Sequence, residues 1–232
     1  MPDRDPPADR RRETLRDGRA RSASSRRWLT RQLNDPYVAK ARASGYRSRA
    51  AFKLLEIDRD LKILRPGLTV VDLGAAPGGW SQVAAERVRP RAGGGRVIAI
   101  DLQPVAAIAG VQILTGDFLA DAVHAELAAL AGARVDVVLS DMAPAASGQP
   151  DIDHLRILNL AEAALDFARA CLAPGGCFVT KMLPGSGERD FIATLRRHFA
   201  QVVRVKPPSS RSDSAEFFLV ARDLKPEGKG GL

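Results

Sequence analysis

Short runs of valine, isoleucine and leucine recur along this chain. Between them, apolar residues return at every third or fourth position. The first pattern suits buried strands and the second suits amphipathic helices. Val70, Val71 and Leu73 make one such run, bounded by Pro66-Gly67 upstream and Gly74 downstream, and predict a strand followed by a glycine turn. A helix then begins near Trp80-Ser81 and reaches Val88. Further strands are predicted over residues 96–101, 111–114, 177–181, 202–206 and 215–221, and one from Val135 with Asp141 at its carboxyl end. Helices are expected from a cap at Asp117 to about Leu130, over residues 154–172, and over residues 190–199. Strands alternating with helices argue for one doubly wound α/β domain with a mostly parallel, seven-stranded sheet. The last two strands are close in sequence, which suits an antiparallel last strand at the sheet edge.

The N-terminal quarter reads differently. Residues 1–21 are rich in Asp, Arg and Pro and hold almost nothing to bury, so they are expected to be a disordered basic arm. From residue 22 the composition supports short helices: 26–33 behind Ser24 and Ser25, one from Asp35-Pro36 through Ala43, and one over 48–57 with Ser48 as cap. The folded domain is placed at residues 22–222, with 22–60 as its basic helical part and 223–232 as a flexible tail.

Charge sharpens this division. The chain has 232 residues and a net charge of +8, yet residues 1–53 carry 15 basic and 6 acidic side chains, and the remainder carries 20 and 21. The excess therefore sits wholly in the N-terminal quarter and points to a polyanionic partner. Trp28, Tyr37 and Tyr46 are interleaved with arginines and lysines there, a mixture that suits RNA through stacking and phosphate contacts. The competing reading is that these aromatics anchor the helices to the core. No apolar run spans a membrane and no apolar signal core is present, so a cytoplasmic location is expected. Cys171 and Cys177 have no histidine cluster beside them and read as buried free thiols, with no metal site.

The chemistry gathers at strand ends. Gly74, Gly78 and Gly79 allow a tight turn facing a helix N-terminus, where nucleotide-like ligands bind. The turn has Ala76 where a dinucleotide fingerprint needs its second glycine, which disfavours a nicotinamide oxidoreductase. Asp101 ends the second strand, as acids that hold ribose hydroxyls do, and Asp117 and Asp141 follow the third and fourth strands. Lys181 ends the fifth. Glu216 enters the last strand beside Phe217 and Phe218, and a partly buried carboxylate there needs a partner such as a lysine. Lys53 lies on the helix over 48–57, away from its apolar stripe.

Asp72-Leu-Gly-Ala-Ala-Pro-Gly-Gly-Trp80 resembles the first motif of methyltransferases that use S-adenosylmethionine. With Ser48-Arg-Ala-Ala-Phe-Lys-Leu54, Ser140-Asp-Met-Ala-Pro144, Lys181 and Glu216, the chain from about Ser22 to Ala221 resembles the RrmJ/FtsJ family of ribosomal RNA 2′-O-ribose methyltransferases. The resemblance implies a Rossmann-like methyltransferase fold and S-adenosyl-L-methionine as cofactor. It also implies a uridine of large-subunit ribosomal RNA as target, on the assembled subunit. The residues themselves signal no metal, and the lack of an exposed heptad or repeated apolar face makes a monomer the expectation. It maps a catalytic tetrad onto Lys53, Asp141, Lys181 and Glu216, with Lys181 as base. Cofactor positions fall on Gly78, Trp80, Asp101, Asp117 and Asp141. The chain departs from the family in its N-terminal arm, in a Gly-rich insertion at residues 91–95, and in Met182-Leu-Pro184 after the second lysine.

Three alternatives stay beside this reading. Relatives modify transfer RNA, and the fold could serve a non-catalytic assembly factor. A base methyltransferase is disfavoured because Asp141-Met-Ala-Pro144 lacks the aromatic residue that amino-group chemistry uses, and no cysteine sits on the rim for a pyrimidine mechanism.

Overall fold

The computed structural model describes residue 30 and residues 33–90, 94–132, 134–144 and 147–226. The expected arm, most of the helix over 26–33 including Trp28, most of the Gly-rich insertion and the end of the tail lie outside the described residues.

Helix α1, Pro36–Ala43, starts where proline costs nothing, since its missing N–H would be unpaired in a first turn anyway. Asp35 caps it, accepting from the Tyr37 N–H at 3.0 Å. Helix α2 spans Ala50–Leu61. Strand β1, Thr69–Leu73, leads through the glycine turn into α3, Gly79–Val88. Then come β2 (Arg96–Asp101), β3 (Val111–Thr115), α4 (Asp121–Ala131) and β4 (Val135–Ser140). The chain closes with α5 (Pro150–Cys171), β5 (Leu172–Met182), α6 (Glu188–His198), β6 (Phe199–Val205) and β7 (Phe217–Leu224).

The seven strands form one sheet in the order β3-β2-β1-β4-β5-β7-β6. The pairs from β3 to β5 are parallel, and β7 runs antiparallel to both β5 and β6. Period-two alternation separates two cores. Val71, Ile98 and Val138 face a layer holding Leu127, Phe167 and Leu195, from α4, α5 and α6. Val70, Val97 and Val137 face the other layer, with Leu54 and Ile57 from α2 and Val83 and Ala84 from α3. Burial on both faces explains why the strands read as continuous apolar runs.

Three local expectations are corrected. Ser48 does not cap α2: Arg49 is the cap residue, and the buried Ser48 hydroxyl has no partner among the described residues. It is pressed against the start of α3, where a Cβ on Gly79 would lie 2.3 Å from Ser48 Oγ. Asp117 does not cap α4 either. It closes a tight turn, accepting the Leu119 N–H at 2.9 Å, and the helix starts at Asp121 behind Ala120. The strand predicted over residues 177–181 starts earlier, at Leu172, which pairs with Val135 across an irregular register.

Cys171 and Cys177 are free and buried, and burial pushes both thiols up to about 12. They are therefore poor nucleophiles. Among the described residues, no helix is long and apolar enough to cross a membrane.

Candidate active site

In a sheet of this kind the carboxyl ends of the parallel strands form one rim, and a crevice opens where strand order reverses, here between β1 and β4. Asp72 lies in β1, Asp101 ends β2, Asp141 follows β4 and Lys181 lies near the end of β5. The antiparallel β7 begins where β5 ends: Met182 pairs with Phe217 and Lys181 with Phe218. Glu216, just before that strand, therefore reaches the same rim. A parallel last strand would have carried it to the opposite end.

Two lysine–carboxylate pairs result. Lys181 Nζ donates to the Asp141 carbonyl at 2.6 Å and to its carboxylate at 2.9 Å. Lys53 Nζ lies 2.6 Å from Glu216 Oε1 and 5.5 Å from the centre of the Phe218 ring. Lys53 and Lys181 are each 9% exposed, uncommon for a lysine and tolerated because each has a carboxylate partner. Phe218, on the strand between the two pairs, packs on Trp80. All four residues of the expected tetrad thus stand at one rim, as two ion pairs.

The turn beside them is tightly built. Gly74 has φ +78°, and a Cβ there would lie 2.7–2.8 Å from Met142. Gly78, at φ +110°, is the cap residue before α3 and leaves no room for a Cβ against Ile108, Arg47 and Val105. Asp101 braces the turn: one carboxylate oxygen accepts the Ala76 N–H at 2.9 Å, and the other accepts the Gln103 N–H at 2.8 Å. The Trp80 side chain is 2% exposed and donates from its indole N–H to the Ala50 carbonyl at 2.8 Å. Its ring ties α3 to α2, so this position can offer a ligand only its backbone. Asp117 is exposed on the rim.

Several features here went unread in the sequence. Asp72 is fully buried, with one oxygen bonded to the Ser81 hydroxyl and the other without a partner among the described residues. Burial, followed by the charges of Asp141 and Asp101, pushes its carboxyl up to about 7. The motif spacing held the clue, since Ser81 sits one turn into α3, directly behind the glycine turn. Arg47, read only as a nucleic-acid contact, donates to the Ala106 and Ala107 carbonyls at 2.6 and 2.8 Å and draws that loop over the turn. Leu102 and Leu119, each shortly after a rim acid, are exposed at 65% and 57%. His154 is buried at the start of α5, its ring nitrogens against the Leu183 and Ser186 carbonyls, and so fixes the loop that follows Lys181.

The basic N-terminal part is only partly free. Tyr37 and Tyr46 pack against Phe52 at 5.6 and 5.9 Å, and the Tyr46 hydroxyl donates to Glu86 at 2.7 Å. The tyrosines thus anchor the helices to the core. Burial pushes the Arg49 guanidinium down from its usual value, and Asp35 opposes that. Arg211, in the Ser- and Arg-rich loop before β7, is also held by Asp35, at 3.2 Å.

Residues 46–224 match the FtsJ-like methyltransferase family. Curated relatives named "Ribosomal RNA large subunit methyltransferase E" are similar over nearly the whole chain. The one from Acidiphilium cryptum is 51% identical, covering 92% of each chain, and the one from Azorhizobium caulinodans is 49% identical, covering 91% of this chain and 88% of its own. A solved structure described as a ribosomal RNA methyltransferase, from Plasmodium falciparum, superposes with a TM-score of 0.69 at 30% identity, covering 77% of this chain and 98% of that one. On the strength of the matched span and of relatives near half identity, this chain belongs to the FtsJ-like methyltransferase family.

Proposed function

We propose that this enzyme methylates the 2′-hydroxyl of a uridine in large-subunit ribosomal RNA, using S-adenosyl-L-methionine and Lys181 as the base. The observation that carries this reading is the pair of lysine–carboxylate bridges, Lys181–Asp141 and Lys53–Glu216, beside the glycine turn. Relatives near 50% identity that are named for large-subunit ribosomal RNA support the choice of substrate class.

The residues present fit the cofactor. Gly74 and Gly78 let the turn close tightly against Met142 and the 105–108 loop in backbone conformations that favour glycine, and acids crowd the site, as suits a cationic ligand. The unpartnered oxygen of Asp72 waits beneath the turn for a donor or a positive charge. Gly78, the Trp80 backbone, Asp101, Asp117 and Asp141 would hold the cofactor, with Leu102 and Leu119 as apolar flanks. When bound, it supplies an electrophilic methyl group on sulfur.

The protein's own residues do the rest. A ribose hydroxyl is a weak acid, so its proton must leave as the oxygen attacks. Lys181 takes that proton at Nζ, and an amine can do so only in its uncharged form. Asp141 fixes the nitrogen through two oxygens, which leaves one direction for the hydroxyl. Lys53 and Glu216 border the acceptor and orient it. Alignment contributes much of the rate, since good orientation recovers roughly 7–11 kcal/mol in intramolecular reactions.

Methyl transfer from labelled S-adenosylmethionine to purified large subunits, free ribosomal RNA and transfer RNA tests this. The expected product is 2′-O-methyluridine in the large-subunit RNA, identified by mass spectrometry. Transfer to transfer RNA alone would overturn the substrate, and no transfer to any of them would overturn the reading.

A further inference from the structure

Arg49, Lys53 and Glu56 follow one another at spacings of four and three residues, so they share one side of α2. All three reach the segment that ends at Glu216. Glu56 accepts from both the backbone N–H and the hydroxyl of Ser209, at 2.9 and 2.6 Å. Arg49 donates to the Ser209 carbonyl. Lys53 holds Glu216 itself. Ser209 is fully buried, and all three of its polar groups are spent on α2.

Six residues separate Ser209 from Glu216, enough chain to reach more than ~20 Å if extended. Lys53 and Glu56 are nevertheless neighbours on one helix turn. The loop is therefore pinned at both ends to a short stretch of α2. Between these two points the loop is braced mostly by itself. The Ser210 N–H donates to the Pro207 carbonyl at 2.8 Å, the Ser214 N–H to the Arg211 carbonyl at 3.1 Å and the Glu216 N–H to the Ser214 hydroxyl at 3.2 Å. Lys206 bonds the Ser214 carbonyl at 3.0 Å, and Arg211 adds an ion pair to Asp35.

We propose that Glu56 and Ser209 are positioning residues for methyl transfer, setting where Glu216 and, through it, the Lys53 ammonium stand. This rests on the reading in the preceding subsection. Neither residue touches the acceptor. Each acts through the loop, so its loss lets Glu216 wander and leaves Lys53 less firmly held. Small misplacements of reacting groups are costly, and a shift near ~1 Å can slow a reaction by two orders of magnitude.

The test compares wild type with Glu56→Ala, Glu56→Gln and Ser209→Ala. Three quantities are read: kcat for transfer to large subunits, the Kd for S-adenosylmethionine, and acylation of Lys53 and Lys181 by a water-soluble active ester, followed by mass spectrometry. Glu56→Ala is expected to lower kcat roughly ten- to a hundredfold with the cofactor Kd unchanged. Its Lys53 should label several times faster while Lys181 labels at the wild-type rate. Glu56→Gln keeps an acceptor oxygen for Ser209 and should stay within about threefold of wild type. Ser209→Ala should fall between these. Unchanged Lys53 labelling in Glu56→Ala, or equal acceleration at both lysines, overturns the proposal, and so does Glu56→Gln behaving like Glu56→Ala. A wild-type protein that methylates no RNA would sink the preceding reading instead, and the labelling comparison would still decide this one.

Discussion

The Ser81 hydroxyl donates to one oxygen of the Asp72 carboxylate at 2.6 Å, and no other described residue bonds that carboxylate. Hydrogen bonding from Ser81 does not offset full burial and the nearby charges of Asp141 and Asp101, so the folded state prefers Asp72 protonated up to about pH 7, against 3.8 for a free aspartate. The group binds its proton more tightly folded than unfolded. Its share of stability is therefore greatest at acid pH and is lost as pH rises from about 4 to 7, at roughly 1.4 kcal/mol per unit. Asp72→Asn should flatten that stretch of the unfolding curve and gain on wild type at pH 8. Denaturant melts at pH 5 and pH 8 check this.

Lys53 and Glu216 are both largely buried, at 11% and 17% side-chain exposure. Lys53→Met strands Glu216 and should cost about 1–3 kcal/mol of stability. Adding Glu216→Leu should restore most of that loss without restoring methyl transfer. Recovery of activity in the double variant would show that the pair is only structural.

Lys181→Ala should abolish methyl transfer while leaving cofactor affinity nearly intact, because the glycine turn and Asp101 do not depend on it and Asp141 keeps its backbone bond to the Leu73 carbonyl at 3.1 Å. Titration calorimetry beside the transfer assay separates the two. An equal loss of both would assign Lys181 a structural role.

Gly45 and Gly74 share almost the same backbone angle, φ +77° and +78°, yet only Gly74 is crowded. Gly45→Ala should cost about 1 kcal/mol, the strain of a side chain in a left-handed conformation. Gly74→Ala meets Met142 as well, adding about 1–3 kcal/mol, and should weaken cofactor binding sharply. Thermal melts with and without S-adenosylmethionine distinguish them.

Much of this was legible in the sequence because apolar runs buried on two faces leave an unmistakable record. β2 begins and ends where the run from Arg96 to Asp101 predicts. The antiparallel last strand followed from the short connection between the last two strands, but its expected place at the sheet edge is taken by β6, and β7 lies one position inside. Helix starts were less legible. Ser48 and Asp117 are good cap residues by chemistry, yet Ser48 is taken up by packing on Gly79 and Asp117 by its own turn. Tertiary contact overrides local preference at such positions. The burial of Lys53 was equally hidden, because its reason, Glu216, lies more than 160 residues away. The service of Arg49 and Arg211 to Asp35 has the same cause: charge composition counts arginines but does not show which are already spoken for.

The position of β7 carries a consequence for synthesis. It is translated after every other strand, yet it sits inside the sheet, between β5 and β6, not at an edge. While the polypeptide is still emerging, β5 and β6 have no strand between them, and the apolar flanks of that gap stay open. Glu216 arrives with the same segment. Maturation of the sheet and completion of the Lys53 pair are thus a single late event, and a nascent enzyme cannot acquire one without the other.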